Sequence, residues 1–216
     1  MIRTKHELIE EPRDLRPHIV LLGAGASRAA FPKGDAAGRP LPVMDDLVDI
    51  VGLRSLIEQA DLLDPSERNF EGIYGRLASE PKYAHRVKEI ERRIDSYFTA
   101  LSLPNHATIY DRLLLSLRPT DAVFTFNWDP FLFDAYQRNR SAVPLPEIFF
   151  LHGNVRIGAC LEHRKWSARK ERCPECLQPL ADVPLLYPIG EKDYSTNPYI
   201  RRTGMPRGSR SGMHSR

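Results

Sequence analysis

The stretch His18-Ile-Val-Leu-Leu-Gly-Ala-Gly-Ala-Ser27 decides the fold class. Its unbroken apolar run, Ile19–Leu22, is typical of a short strand buried on both faces in a parallel α/β sheet. Gly23 and Gly25 follow at once, and because glycine has no Cβ the backbone there can turn sharply and let a ligand come close. A helix after such a turn would favour phosphate at its N-terminus. Arg28 stands where the dinucleotide fingerprint has its third glycine, so a plain chain reversal is the alternative interpretation.

Two further apolar runs, Asp121–Thr125 and Glu147–Leu151, predict strands that also end in polar residues. The polar side chains at the ends of the three predicted strands are those of Ser27, Asn127 and His152. Ligands of open α/β sheets bind beyond the carboxyl ends of the strands, so we expect the functional site there. Asp129, directly before Pro130, has an alternative interpretation as a helix cap. His152 taken by itself has one as a structural histidine.

The region between the first two predicted strands is largely helical. Apolar residues three and four apart predict helices over Met44–Val51, Leu53–Leu63 and Thr108–Leu117, with two more amphipathic faces between them. A crossover between parallel strands needs only about a dozen residues, so residues 44–118 are predicted to form a helical insertion. The preceding segment Arg28–Pro42 reads as a long loop, which is typical of a lid or binding loop; a surface excursion is the alternative.

All three cysteines of the chain lie in one short window. Cys160-Leu-Glu-His163 and Cys173-Pro-Glu-Cys176 are two ligand pairs with two residues between partners, a spacing that wraps a single metal ion from two tight turns. Thiolates with one imidazole favour zinc. We therefore predict a structural zinc module over residues 155–183, with Cys160, His163, Cys173 and Cys176 as ligands. Glu162 or a water in place of His163, and a loop with incidental cysteines, are the alternatives.

Composition excludes several classes of function. The chain carries 31 Lys and Arg against 28 Asp and Glu, a net charge of +3, but five of the arginines lie in the last sixteen residues. The rest of the chain is therefore not basic, which makes nucleic-acid binding unlikely. We see no membrane-spanning run and no secretory signal. Three cysteines without an export signal favour a reducing cytoplasm.

The two ends of the chain differ from its centre. Residues 1–17 read as a polar leader, and residues 201–216 as a disordered basic tail rich in Arg, Gly and Ser. Between them, residues 18–200 are expected to form one domain. The abrupt change after Ile200 suggests a truncated or frame-shifted reading frame, with a natural disordered tail as the alternative. We therefore expect a sheet that is incomplete at its C-terminal end.

The motifs taken in order resemble those of sirtuins, and in particular the divergent bacterial branch that includes NAD hydrolases of anti-phage defence. The matching stretches are Gly23-Ala-Gly-Ala-Ser27, Thr125-Phe-Asn-Trp-Asp129, His152-Gly153, the zinc module, Leu41–Leu47 and Pro184–Pro188. The resemblance covers about residues 18–200. It implies a Rossmann-like parallel sheet with the helical insertion and the small zinc-binding module.

The resemblance also implies a substrate and roles for single residues. By the match to the first motif, the residues that would hold the diphosphate and neighbouring ribose of NAD are Gly23, Ala24, Gly25 and Ser27. Asn127 and Asp129 would contact the nicotinamide ribose and orient water, and His152 would be the general base. The implied activity is hydrolysis of the nicotinamide–ribose bond.

Two other functions stay open at this stage. NAD-dependent protein deacylation is the first, although the short Gly-Ile-Pro-Asp-Phe-Arg segment of sirtuins is missing and Arg28–Pro42 stands in its place. A catalytically inert, truncated zinc-binding domain is the second. The resemblance also allows a homo-oligomer or a partner from a defence system.

Overall fold

The computed structural model describes residues 17–58 and 67–189. A three-stranded parallel sheet lies at its centre, made of β1 (Ile19–Leu22), β2 (Ala122–Thr125) and β3 (Glu147–Phe150) in the order β1-β2-β3. Val20 of β1 lies opposite Val123 of β2, which lies opposite Ile148 of β3. The chain is thus a mixed α/β protein, and the predicted parallel sheet is confirmed.

Seven helices are described, and most of them lie between β1 and β2. They are α1 (Ala24–Ala30), α2 (Leu47–Ile50), α3 (Arg54–Glu58), α4 (Phe70–Ser79), α5 (Ala84–Ala100), α6 (Ile109–Ser116) and α7 (Phe131–Asn139), with a 3-10 turn at Pro81–Tyr83. Helix α6 begins at a capping box, in which Thr108 and Asp111 each accept from the other's backbone N–H. The first predicted helix is too long, because residues 44–46 form a turn that precedes α2.

The main core lies between one face of the sheet and the helices. Val123, Ile148 and Phe150 project from that face and are fully buried. Phe131 and Phe133 of α7 belong to the same apolar cluster. Burial of such side chains is the main stabilising contribution to the fold, so the sheet and its crossover helices hold the strand ends in fixed positions.

The expectation that β1 is buried on both faces is wrong. Ile19 and Leu21 are 70% and 65% exposed, and β1 is an edge strand of the described sheet. On the same face Phe124 and Phe149 are half-buried, with their rings stacked 4.6 Å apart. An apolar run of four residues indicates a strand, but it does not show whether a second layer covers the outer face.

A second, antiparallel sheet carries the cysteine-rich module. Its strands are β4 (Ile157–Cys160), β5 (Lys165–Ala168) and β6 (Ala181–Asp182), in the order β5-β4-β6. Arg156, directly before β4, donates to the backbone oxygens of Thr99 and Leu101 at the end of α5. These bonds tie the small sheet to the helical region.

Several predictions fall outside the described residues. They concern residues 1–16 of the predicted leader and residues 190–216, which include the predicted tail. The incompleteness of the sheet stays a prediction as well. A search of the described helices for one both long and apolar enough to cross a bilayer finds none.

Candidate functional site

A cavity of about 140 Å³ opens where the strand ends meet α1 and the loop before α2. One part of its lining is polar and comprises Ser27, Asn127, Asp129 and His152. The rest is mainly apolar, with Leu41, Met44, Leu47, Phe98, Phe126 and Trp128. The structure therefore brings together the polar residues that sequence reasoning placed at the three strand ends. Such a mostly apolar pocket with a few converging polar groups is the usual form of a small-molecule site.

Ser27 is the centre of a buried hydrogen-bond cluster. Its side chain is only 2% exposed, and its hydroxyl donates to Asp129 Oδ2 at 2.6 Å. Asn127 Nδ2 donates to the same hydroxyl at 2.9 Å, and the phenolic oxygen of Tyr110 lies 2.7 Å from it. A serine hydroxyl offers one donor and two acceptor positions. Ser27 is thus fully engaged within the protein, and a contact between Ser27 and a ligand stays a prediction.

Asp129 makes hydrogen bonds with both of its side-chain oxygens, and a contact with a ligand stays a prediction. Its Oδ1 accepts from the backbone N–H of Phe131 at the start of α7, as a helix cap does. Its Oδ2 belongs to the cluster around Ser27. Burial raises the pKa of this carboxyl to about 6, while the bonds from Ser27 and Phe131 oppose the rise. The cavity therefore contains a carboxylate that is ionised at neutral pH although water hardly reaches it.

Asn127 has an acceptor without a partner. Its residue is only 7% exposed, and Oδ1 is buried with no hydrogen-bond partner among the residues that the structure describes. Buried amide oxygens are nearly always paired, because leaving one unpaired costs about 1–3 kcal/mol. Asn127 lines the cavity, so this unpaired oxygen is a candidate acceptor for a hydrogen bond from a bound molecule.

His152 enters the same cavity from the end of β3. Its ring meets the ring of Phe126 edge-on, with 4.9 Å between centroids. Gly153 follows with a φ of +76°, and a Cβ at this position would lie 2.7 Å from the backbone oxygen of Pro184. Leu186 donates its backbone N–H to the oxygen of His152. The turn after β3 therefore requires glycine, and the segment after the small sheet holds it in place.

The two glycines after β1 are not required by the packing of the described chain. Gly23 has a φ of −120°, which any residue adopts. A Cβ built at Gly23 or at Gly25 would have no heavy atom of the described residues within 4 Å. Helix α1 has seven residues and begins at Ala24. The surface above the turn is thus open to a molecule that approaches the backbone closely.

The four predicted metal ligands come together. Cys160 Sγ lies 3.5 Å from His163 Nδ1 and 3.8 Å from Cys176 Sγ, and the ligand atoms of these three residues and Cys173 all lie within 4.8 Å of one another. Ligands at zinc–sulfur bond lengths on a tetrahedron are about 3.8 Å apart. Together they could hold a metal ion, and it is His163, not Glu162, that joins the group.

A residue with a left-handed φ follows each pair of ligands. Arg164 and Leu177, each directly after the second ligand of its pair, have φ of 52° and 59°, the left-handed region that residues with a side chain rarely adopt. Hydrogen bonds from the backbone N–H groups of Cys176 and Glu175 lower the pKa of the Cys173 thiol, which favours the thiolate that metals bind. The module is therefore built to place four donors around one point.

Sequence reasoning missed Tyr110 and Asn154. Tyr110 comes from α6, between β1 and β2, and its contact with Ser27 spans 83 residues. Asn154 donates to the backbone oxygen of Asp129 at 2.6 Å. Neither residue belongs to a motif that could have been read from spacing.

The sequence matches no protein-family model and no curated protein. The resemblance to sirtuins therefore rests on the motifs alone.

Proposed function

We propose that this protein is a sirtuin-like, NAD-consuming enzyme that hydrolyses the bond between nicotinamide and ribose. The observation that carries the proposal is the convergence of Ser27, Asn127, Asp129 and His152 in one cavity at the carboxyl ends of parallel strands. This is where nucleotides bind in open α/β sheets. The open surface over Gly23 and Gly25 supports it further, because a diphosphate needs close access to the backbone.

The chemistry uses the charges and the apolar walls of the cavity. As the bond between C1′ and the pyridinium nitrogen breaks, its electron pair goes to nicotinamide and the ribose gains oxocarbenium character. A buried carboxylate such as Asp129 stabilises positive charge more strongly than it would in water. Water then adds to C1′, and the neutral imidazole of His152 takes its proton as a general base.

The Cys/His module would hold a structural zinc ion under this proposal. Three sulfurs and one imidazole are the donor set that zinc prefers, and four protein ligands leave no coordination position for a substrate. The ion would supply rigidity to the turns around β4. Those turns connect to the end of α5 through Arg156, and Phe98 of that helix lines the cavity.

NAD consumption by the purified, zinc-supplemented full chain tests the proposal. We expect the wild type to release nicotinamide and ADP-ribose, and His152→Ala and Asn127→Ala to lose at least 90% of that rate. Matched controls are His106→Ala and Asn105→Ala, both of exposed residues outside the cavity lining, which should keep the wild-type rate. Release that requires an acylated peptide would favour deacylation instead, and a folded, zinc-loaded wild type without any turnover would favour the inert domain.

A further inference from the structure

We infer that Asp129 is a positioning residue: acting through the Ser27 hydroxyl, it fixes the side-chain amide of Asn127 so that the carbonyl oxygen stays free. Asn127 would then accept a hydrogen bond from its ligand through Oδ1. The part of this inference that concerns the ligand rests on the proposed function. The part that concerns the orientation of the amide does not.

The Ser27 hydroxyl has a single proton to donate. Ionised Asp129 only accepts hydrogen bonds, so at 2.6 Å from Asp129 Oδ2 the hydroxyl must donate its proton there. No proton is left for its other two neighbours. Tyr110 and Asn127 must therefore both donate to Ser27.

The orientation of the Asn127 amide follows from this. If the amide were turned over, its oxygen would face the lone pairs of Ser27, and two acceptors would meet in a buried space. The amide nitrogen must face Ser27, which explains why Oδ1 has no partner within the described part of the chain. An unsatisfied acceptor in a residue that lines the cavity is suited to an O–H or N–H group of a bound molecule.

Asp129→Asn is predicted to reverse the direction of the hydrogen bond between residue 129 and the Ser27 hydroxyl. The backbone N–H of Phe131 donates to Asp129 Oδ1, so an asparagine here would place its oxygen towards Phe131 and its nitrogen towards Ser27. The hydroxyl of Ser27 would then accept from residue 129 and release its proton to its remaining neighbours. The amide of Asn127 would no longer be fixed by Asp129.

Solvent exchange of the Asn127 side-chain NH₂ group, measured by NMR on the ¹⁵N-labelled full chain without NAD, tests the orientation. The resonances are assigned by their loss in Asn127→Ala. Asn139 is the internal reference, since its Nδ2 donates to Asp111 and to the backbone oxygen of Ala135 away from the cavity. We expect the rate for Asn127 relative to Asn139 to rise at least tenfold in Asp129→Asn and in Ser27→Ala. An unchanged ratio in either folded variant would overturn the inference.

The wild type gives a measurement that needs no variant. Below pH 6 a protonated Asp129 can itself donate to Ser27, so the exchange ratio should rise between pH 7 and pH 5, because burial has raised the pKa of Asp129 to about 6. The other titratable groups around it are Tyr110 of α6, Asp134 of α7 and His152. Asn139 remains a valid reference between pH 7 and pH 5, because its acceptor Asp111 stays ionised there. The hydrogen-bond partners of Asp111 keep its pKa at about 2. A ratio that is constant over this range would contradict the role of Asp129.

NAD binding tests the claim about the ligand of Asn127 separately from the claim about the orientation of its amide. In Asp129→Asn we expect the exchange rate of Asn127 relative to Asn139 to rise. We expect the Kd of the same variant for NAD to be at least tenfold higher than that of the wild type. A risen ratio with an unchanged Kd would overturn the claim that a ligand donor meets Asn127. Because the exchange experiment contains no NAD, failure of the proposed function would leave its outcome unaffected.

Discussion

The buried carboxyl of Asp129 should make the stability of the fold depend on pH in a way that Asp129→Asn abolishes. Burial raises its pKa from 3.8 to about 6 in the folded protein. A raised carboxyl pKa means that ionisation costs stability: the cost is absent below the unfolded pKa and is fully present above the folded one. Two pKa units correspond to about 3 kcal/mol.

The experiment compares urea unfolding of the wild type and Asp129→Asn at several pH values. The free energy of unfolding of the variant minus that of the wild type should rise by about 2 kcal/mol between pH 4 and pH 7. Subtracting the two free energies of unfolding removes the contribution from protonation of the metal ligands, because that contribution is the same in both proteins. A constant difference across this range would refute the reasoning, because it would mean that Asp129 titrates alike in both states.

Four other substitutions test separate parts of the structure. Asp111→Ala should destabilise the fold by about 3 kcal/mol in urea unfolding, since it removes the buried partner of Arg138; a loss below 1 kcal/mol would contradict this. Leu177→Gly should raise the melting temperature of the metal-loaded protein by a few degrees, because it relieves a left-handed φ; a lower melting temperature would argue against strain there. Gly23→Ala should leave the melting temperature unchanged and weaken NAD binding, whereas Gly153→Ala should lower the melting temperature; the opposite pattern would contradict the assignment of open space to Gly23.

The parts of the site that depend on local order could be predicted from the sequence. Polar residues directly after parallel strands must meet at one edge of the sheet, so Asn127 and His152 were placed correctly with respect to each other. The spacing of Cys173 and Cys176 likewise fixes a tight turn whatever surrounds it. The first prediction needed only the common direction of paired strands, and the second needed only the spacing along the chain.

The parts that depend on distant packing could not be predicted. Tyr110 reaches Ser27 from a helix 83 residues further along the chain, and no local pattern distinguishes it from a core aromatic residue. Similarly, the exposure of Ile19 follows from which elements cover the sheet. Both features are set by tertiary contacts, which a run of apolar residues does not specify.

The most direct test of the account is the rate of nicotinamide release from NAD by the wild type beside His152→Ala and its control His106→Ala. The account predicts release by the wild type and His106→Ala, and at least a tenfold slower rate for His152→Ala at an unchanged melting temperature. Equal rates in all three proteins would contradict the placement of the chemistry at the ends of the strands.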